Sequence, residues 1–256
     1  MPNWVENRLT ITGDQDSLDK LREMVGKSYK TFHQDFMTNE IKEATIVGSF
    51  LLWNIASPTD LATYHGFTSD EEFAERKARV EKAKQEQPES PEEFVKKLDG
   101  VVSNMPPMSE DILSQFQREV ETKQDWYHWN IREWGTKWEI DGAQLLVEEG
   151  KLKYAYSTAW SPPISAIDKL AEMFPTLSFH SRFLDEGDCF AGEVFWESGE
   201  QTYEHDIRID HALKIEMYGD CWACSNEDSE YDEVRASYRC AEYNKLVVPD
   251  TIEGLV

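Results

Sequence analysis

The sequence predicts an α+β protein built around one antiparallel sheet, and three observations support this. Short segments in which apolar and polar residues alternate, as in half-buried strands, occur near the start of the chain and again in its second half. Two segments with apolar residues at helical spacing lie between these strands. A charged stretch with several prolines interrupts the pattern mid-chain. Together these features indicate a sheet covered by helices, with a helical insertion.

The first elements are a strand and a helix. Residues 4–12 alternate in polarity, which predicts a strand. An amphipathic helix follows, with Asp16 or Ser17 as its N-cap and Gly26 at its end. The apolar run 44–55 then predicts a buried strand or a pair of strands.

Residues 60–123 have a different character, because charged residues and prolines dominate. We expect helices over 70–87, 91–103 and 109–123. Charged helices that cover a sheet edge are the favoured interpretation, since such faces are usually solvated. A separate binding module is the alternative.

The second half of the chain supplies the remaining elements. The predicted helices cover residues 126–134, 164–174 and 229–244, and the predicted strands cover 137–147, 152–160, 177–183, 190–197 and 201–209. The order β-α-β, insertion, β-hairpin, α, β corresponds to the split β-α-β arrangement of the ferredoxin-like class. We therefore expect a core from 1–59 and 124–210, a helical insertion at 60–123 and an acidic extension at 211–256. This class hosts unrelated functions, so the fold alone implies none of them.

The charge is strongly acidic. Fifty acidic and 26 basic residues give a net charge of −24, which disfavours direct binding to nucleic-acid phosphates and favours basic surfaces or other proteins as partners. The region 181–256 is especially acidic, and it is either a solubilising surface or a face that mimics the phosphates of DNA. The residues of this acidic face are Glu227, Asp228, Glu230, Asp232 and Glu233.

The sequence predicts a cytoplasmic protein without a membrane segment, because it has no long apolar run and its first residues do not resemble a signal peptide. The four cysteines are then expected to be reduced thiols. Cys221 and Cys224 have the spacing of a zinc half-site or a redox pair, but no second close pair accompanies them. We therefore expect no metal and no cofactor.

Tryptophan is concentrated between residues 126 and 163, which hold five of the nine in the chain. Packing is the favoured interpretation, with Trp4, Trp138 and Trp160 in the core of the sheet and the others along a helix. A recognition surface of aromatic anchors is the alternative. Its candidate residues are Trp126, Trp129, Trp134, Lys137, Trp138, Trp160 and Glu186.

Catalysis has no recognisable motif in this chain: neither a nucleophile elbow, a phosphate-binding glycine loop nor an HExxH pattern is present. Asp185, Glu186 and Asp188 form either a polar turn or a general-base cluster, and the turn is the simpler interpretation. Arg132 and Arg182, like Lys137, are candidates for holding an anionic ligand. The chain is expected to be non-enzymatic.

Four segments together resemble one family. MPNWVENRLTITG, WYHWNIREWGTKW, TAWSPP and EGDCFAGE are similar to the Api92-like, or YubB, family carried by phages, plasmids and genomic islands. The resemblance covers roughly residues 1–60 and 125–200. It implies a ferredoxin-like domain and an origin in a mobile genetic element, and it implies no established reaction.

Two hypotheses of function follow. The first is an accessory protein of a phage or mobile element that binds a host protein, such as a defence or DNA-processing factor, through its aromatic centre, its helical insertion or its acidic face. The second is an enzyme or small-ligand-binding protein with a site near the WGTKW segment. A concave pocket at Trp134, Lys137, Trp138 and Glu186 would favour the second hypothesis, and burial of these rings in a dry core would exclude it.

Overall fold

The structure is a computed structural model, and it describes residues 3–35, 37–85 and 110–219. The chain divides into two compact units. Unit 1 comprises Met1–Tyr29, Val47–Ser57 and Glu133–Val256, and unit 2 comprises Lys30–Ile46 and Pro58–Arg132. Residues 30–46 thus group with the insertion rather than with the sheet. The predicted helices 91–103 and 229–244, the cysteines Cys221 and Cys224, and the acidic face lie outside the described residues.

The described elements include most of the predicted ones, in the predicted order. They are β1 (Trp4–Thr12), α1 (Gln15–Val25), β2 (Tyr29–Gln34), β3 (Ile41–Ile46), a 3-10 turn (Leu52–Asn54), α2 (Leu61–His65), α3 (Asp70–Gln85), α4 (Glu110–Thr122), α5 (Trp126–Trp134), β4 (Gln144–Glu148), β5 (Lys151–Ala159), α6 (Ile164–Met173), β6 (Ser178–Asp185), β7 (Ala191–Glu197), β8 (Glu200–Asp206) and α7 (His211–Tyr218).

Unit 1 contains a six-stranded sheet with the order β4-β5-β1-β6-β7-β8. Every neighbouring pair is antiparallel. The first four positions, with β1 between β5 and β6, have the order of a split β-α-β fold, in which α1 follows β1 and α6 joins β5 to β6. The α+β, ferredoxin-like prediction is therefore confirmed, and β7 and β8 extend the sheet.

One face of the sheet carries the core. Alternate residues of β1 are fully buried, including Val5, Leu9 and Ile11, because successive side chains of a strand point to opposite faces. The N-cap of α1 is Asp14, whose carboxylate accepts the N–H of Ser17 at 2.9 Å. The predicted caps Asp16 and Ser17 were wrong, because both residues already lie inside the helix.

Residues 44–55 do not form the buried strand that the sequence predicted. The strand β3 ends at Ile46, and Leu52–Asn54 is a single 3-10 turn. Phe50 is nonetheless fully buried, and its ring stacks on Tyr156 with centroids 5.5 Å apart. The Glu139 carboxylate accepts the N–H groups of Leu52 and Trp53 at 2.6 and 3.0 Å. A side chain thus satisfies donors that a neighbouring strand would otherwise have to pair.

Unit 2 contains the two-stranded sheet of β2 and β3 and the helices α2 to α4. Tyr64 on α2 donates a hydrogen bond to Asn130 at 2.8 Å and meets the ring of Trp129 edge-on. The helix α3 has no buried residue, which agrees with a solvated charged helix. The predicted helices 70–87 and 109–123 correspond to α3 and α4.

The helix α7 was not predicted. Leu213 and Met217 on this helix pack against Leu184 and Ala191 of the sheet. The guanidinium of Arg8 donates to the Met217 carbonyl, which ties the helix to β1. Of the helices in the described ranges, none combines the length and the apolar composition needed to cross a lipid bilayer.

Candidate functional site

The candidate site is at one end of the six-stranded sheet. Trp4, the first residue of β1, pairs with Ala159, the last residue of β5. The N–H of Trp160 donates to the Asn3 carbonyl at 2.9 Å and continues this pairing by one residue. On the other side of β1, the N–H of Glu186 donates to the Trp4 carbonyl at 2.9 Å. Hydrogen bonds from both neighbouring strands therefore hold the backbone that carries Trp4.

The WGTKW and TAWSPP segments contact each other at this end. Thr136 donates its hydroxyl to the Ala159 carbonyl at 2.9 Å, and Ser161 donates to the Gly135 carbonyl at 2.5 Å. Gly135 has a φ of 82°, and a Cβ at this position would lie only 3.2 Å from the backbone nitrogen of Ile164. Glycine is therefore required at this turn.

The same turn overturns one strand prediction. Residues 137–147 were expected to form the first strand of a hairpin, but β4 covers only Gln144–Glu148. The N–H of Lys137 instead donates to the Ala159 carbonyl at 3.4 Å. This hydrogen bond brings Lys137 and Trp138 to the end of β5.

Three tryptophans and one lysine form what we call the tryptophan cluster: Trp4, Lys137, Trp138 and Trp160. The ammonium of Lys137 lies 4.1 Å from the centroid of Trp160 and 4.8 Å from that of Trp138. The rings of Trp4 and Trp138 are tilted by 53° with centroids 5.9 Å apart. Both distances from the ammonium lie within the range of cation–π attraction.

The tryptophan cluster is on the surface. Trp4, Trp138 and Trp160 are 38%, 37% and 40% exposed. The expectation that these three rings form the core of the sheet was therefore wrong, because each of them lies at the end of a strand or in the turn beside it. The cluster presents a large aromatic area to solvent, which suits it to contact with another molecule.

The other predicted tryptophans do not join the cluster. Trp134 is 1% exposed, and its indole N–H donates to the Ala56 carbonyl at 2.9 Å. Trp126 and Trp129 belong to unit 2, where Trp129 is buried. Trp126 is 37% exposed, and its ring contacts that of Tyr127. Of the predicted binding residues, the structure thus brings together Lys137, Trp138 and Trp160. Glu186 is tied to this end of the sheet by its backbone, and its side chain is exposed.

The acidic turn after β6 has a local structural role. Asp185 is 1% exposed, and its carboxylate accepts the N–H groups of Gly187 and Cys189 at 3.0 and 3.2 Å. A hydrogen bond with Asp185, together with its negative charge, raises the pKa of the Cys189 thiol. A raised pKa lowers the thiolate fraction, so Cys189 is not an activated nucleophile.

Both arginine candidates for an anionic ligand are engaged within the protein. Arg132 donates to the Val120 carbonyl at 2.7 Å, and Arg182 forms ion pairs with Glu193 and Glu216. In the described part of the chain, His, Cys, Asp and Glu side chains form no group of three or more that could hold a metal ion.

Sequence reasoning left two residues of this region out of the candidate site: Trp4, which it assigned to the core of the sheet, and Glu139, which it did not name. Trp4 stands in the first of the four family-like segments, which was the signal that could have assigned it to the cluster. Glu139 directly follows Trp138 and accepts hydrogen bonds from two N–H groups of the 3-10 turn and from the Tyr29 hydroxyl. Burial raises the pKa of the Glu139 carboxyl. No local sequence pattern marks this residue, since its partners are far away in the chain.

Comparison with known proteins finds a family model that matches part of the second half of the chain. Residues 133–240 match a family model described as the ferredoxin-like domain in Api92-like protein. This segment is an Api92-like domain. The resemblance seen in the sequence is thereby confirmed for the region that holds both WGTKW and TAWSPP. Three of the four residues of the tryptophan cluster belong to the Api92-like domain, and Trp4 is supplied by β1.

A crystal structure of a protein Api92 from Yersinia pseudotuberculosis is similar to the chain. The two sequences are 10% identical, and the alignment covers 82% of this chain and 99% of that chain with a TM-score of 0.39. Comparison with curated proteins finds no match.

Proposed function

We propose that this Api92-like protein is a non-enzymatic accessory protein of a phage or other mobile element, and that it binds a host protein through the tryptophan cluster. The observation that carries the proposal is the exposure of the three neighbouring indoles of the cluster, Trp4, Trp138 and Trp160. A role in countering a host defence or DNA-processing factor is the form of this function that the mobile-element resemblance favours.

The cluster has the properties of a protein-binding anchor. Tryptophan dominates the energetics of many protein interfaces, because one ring buries a large area at a small cost in side-chain entropy. Main-chain hydrogen bonds of 2.9 Å fix the backbone at both Trp4 and Trp160. The backbone that carries these two rings is therefore held in place before a partner binds, which reduces the entropy lost on binding.

Charge narrows the class of partner. The chain as a whole carries −24, so its field attracts proteins with basic surfaces and repels phosphate backbones. Lys137 is held over the faces of Trp138 and Trp160, so the indoles are the part of the cluster that a partner can contact. A partner with a mainly basic surface and a local apolar or aromatic contact fits both features.

The test compares Trp138→Ala with a matched control, Tyr203→Ala. Tyr203 is an exposed aromatic residue of β8 in the same unit, at 56% exposure. Wild type and both variants would be used, as full chains, to capture proteins from a lysate of the bacterium that carries the gene. The captured protein would then be purified and its affinity measured by calorimetry. We expect Trp138→Ala to weaken binding by about 2 kcal/mol, or about thirtyfold, and Tyr203→Ala to leave it unchanged.

Two results would contradict the proposal. One is the absence of any captured host protein under gentle conditions. The other is a captured protein whose affinity is the same for wild type and Trp138→Ala.

The acidic face offers a second route to a DNA-processing partner. Its residues lie outside the described part of the chain, so the DNA-mimic form of the proposal rests on charge alone. If that face contributes, reversal of its charges is expected to lower the affinity for the partner. The residues to change are Glu227, Asp228, Glu230, Asp232 and Glu233. Unchanged affinity would reject the DNA-mimic form of the proposal.

The small-ligand alternative has less support. It placed Trp134 in the lining of a pocket, but this ring is 1% exposed and its N–H is bonded to Ala56. A ligand near WGTKW would have to use Lys137 and the faces of Trp138 and Trp160 instead.

A further inference from the structure

The two edges of the six-stranded sheet differ in their protection against further strands. The strand β8 forms one edge, and its sequence EQTYEHD places Glu200, Glu204 and Asp206 along it. The register between β7 and β8 also shifts at Phe195 and Trp196. Charged residues and irregular register are two ways in which natural proteins block the addition of a strand to an edge.

The strand β4 forms the other edge and has one charged residue and no shift of register; that residue, Glu148, is paired with Lys153 of β5 at 2.8 Å. Its sequence QLLVE has no charge before Glu148, and its register with β5 is continuous from Gln144 to Glu148. Leu146 and Val147 are 55% and 44% exposed, so the edge is apolar as well as regular. Within the described ranges, no strand pairs with the outer side of β4.

A groove beside β4 can receive side chains from an added strand. Leu146 pairs with Lys153, and Gln144 pairs with Ala155, so these four side chains share one face of the sheet. They line a groove of about 420 Å³ together with Arg8 and Glu216. Every second side chain of a strand added to β4 would lie on the face of the sheet that carries this groove, next to Gln144 and Leu146.

The charges around β4 indicate what the added strand would carry. The exposed acids Asp141 and Glu149 flank the two ends of the strand. Since the chain carries −24, a second copy of it would be repelled at this edge. A segment with apolar or β-branched residues in its centre and basic residues at both ends matches the apolar middle and the acidic flanks.

We propose that β4 is a docking edge at which an extended, basic-flanked segment of a partner protein adds a seventh strand to the sheet. Main-chain hydrogen bonds along β4 supply the affinity, and the exposed Leu146 with its neighbouring groove selects the side chains. This edge is separate from the tryptophan cluster and does not depend on it.

The test uses the full chain and a synthetic peptide in which Val-Thr-Val-Thr-Val is placed between two pairs of lysines. We expect amide hydrogen exchange in β4 to slow at saturating peptide, while exchange in β8 stays unchanged. Leu146→Lys puts a charge in the middle of the edge and is expected to lower the affinity for the peptide by about tenfold or more. Tyr203→Lys on β8 is the matched control, because Tyr203 is 56% exposed and Leu146 is 55% exposed.

A second peptide, with proline in place of the central valine, separates strand addition from attraction by charge. It keeps all four lysines but cannot form the ladder, so it is expected not to bind. Equal binding of the two peptides, or equal weakening by Leu146→Lys and Tyr203→Lys, would overturn the proposal. So would unchanged exchange in β4 at saturation, which is read on wild type and does not depend on how a variant folds.

Two further outcomes have fixed meanings. In the first, exchange in β4 is already slow without peptide, and light scattering shows a concentration-dependent dimer. This result would mean that β4 pairs with a second copy of the chain, and it would reject the proposal of a partner segment. Trp138→Ala is expected to bind the peptide as wild type does, so a failure of the tryptophan cluster in host binding and a failure of the β4 edge are distinguishable.

Discussion

Two sets of tryptophans in unit 1 have opposite surroundings. Trp134 and Trp196 are each 1% exposed, and both donate their indole N–H, to the Ala56 carbonyl and to Asp168 respectively. Trp4, Trp138 and Trp160 are 37–40% exposed; Lys137 lies over the rings of Trp138 and Trp160, and Trp4 contacts Trp138. The residue type is the same, and Trp134 and Trp138 stand in a single five-residue segment, WGTKW.

Position within the elements accounts for the difference. Trp134 is the last residue of α5, and Trp196 is inside β7, where it pairs with the buried Phe179. The exposed rings lie where β1 begins, where β5 ends and in the turn between Gly135 and Glu139. Tryptophan inside an element is therefore packed in the fold, whereas tryptophan at the end of the sheet stays partly exposed.

The sharpest test of this comparison is the pair Trp134→Ala and Trp138→Ala. Removal of the buried ring leaves a cavity and an unpaired carbonyl, so we expect Trp134→Ala to lower the free energy of unfolding by about 3–5 kcal/mol. Trp138→Ala is expected to change it by less than about 1 kcal/mol. Urea unfolding followed by circular dichroism measures both values. Similar losses in the two variants would mean that Trp138 belongs to the core.

The next effect comes from the indole hydrogen bond alone. Trp196→Phe keeps most of the ring but removes the N–H that lies 2.7 Å from the Asp168 carboxylate. We expect a loss of about 1 kcal/mol, because the partly buried carboxylate oxygen loses its donor. Thermal unfolding measures this loss. Trp138→Phe is the exposed control and is expected to leave the stability unchanged in that measurement. A neutral Trp196→Phe would show that the hydrogen bond adds no net stability.

A smaller effect is expected at Trp160, whose backbone has a φ of 77°. This left-handed conformation is unfavourable for residues with a Cβ and costs glycine nothing. Trp160→Gly is therefore expected to be more stable than Trp160→Ala by about 1 kcal/mol. Both variants lack the ring, so their difference reports the backbone alone. The opposite order in urea unfolding would contradict the assigned conformation.

The last comparison is of folding stability at low and at neutral pH, and it concerns Glu139, the residue that follows Trp138. Burial raises the pKa of this carboxyl above its unfolded value of 4.5. The folded protein then binds the proton more tightly than the unfolded chain, so the contribution of Glu139 is most favourable below pH 4.5 and falls as the pH rises through the raised pKa. Glu139→Gln cannot titrate, and the stability of wild type minus that of Glu139→Gln should fall with rising pH. A difference that rises from pH 4.5 to 7.5 would refute the assigned shift.

The sequence predicted most of the fold because the signals involved are local. Alternation over nine residues identified β1 with its observed ends, and helical spacing identified α6 almost to the residue. The order of these elements then led to the split β-α-β sheet, and the WGTKW and TAWSPP segments identified the Api92-like domain. The candidate residues Lys137, Trp138 and Trp160 were also named from the sequence.

Only the tertiary structure decided which tryptophans are buried, because burial depends on what packs against a ring from elsewhere in the chain. The 3-10 turn at Leu52–Asn54 replaced a predicted strand because the carboxylate of Glu139, distant in sequence, satisfies its N–H groups. Trp4 reached the cluster through its pairing with Ala159 on β5. The sequence by itself thus determined the elements and their order, and the long-range hydrogen bonds and packing determined which of their side chains face solvent.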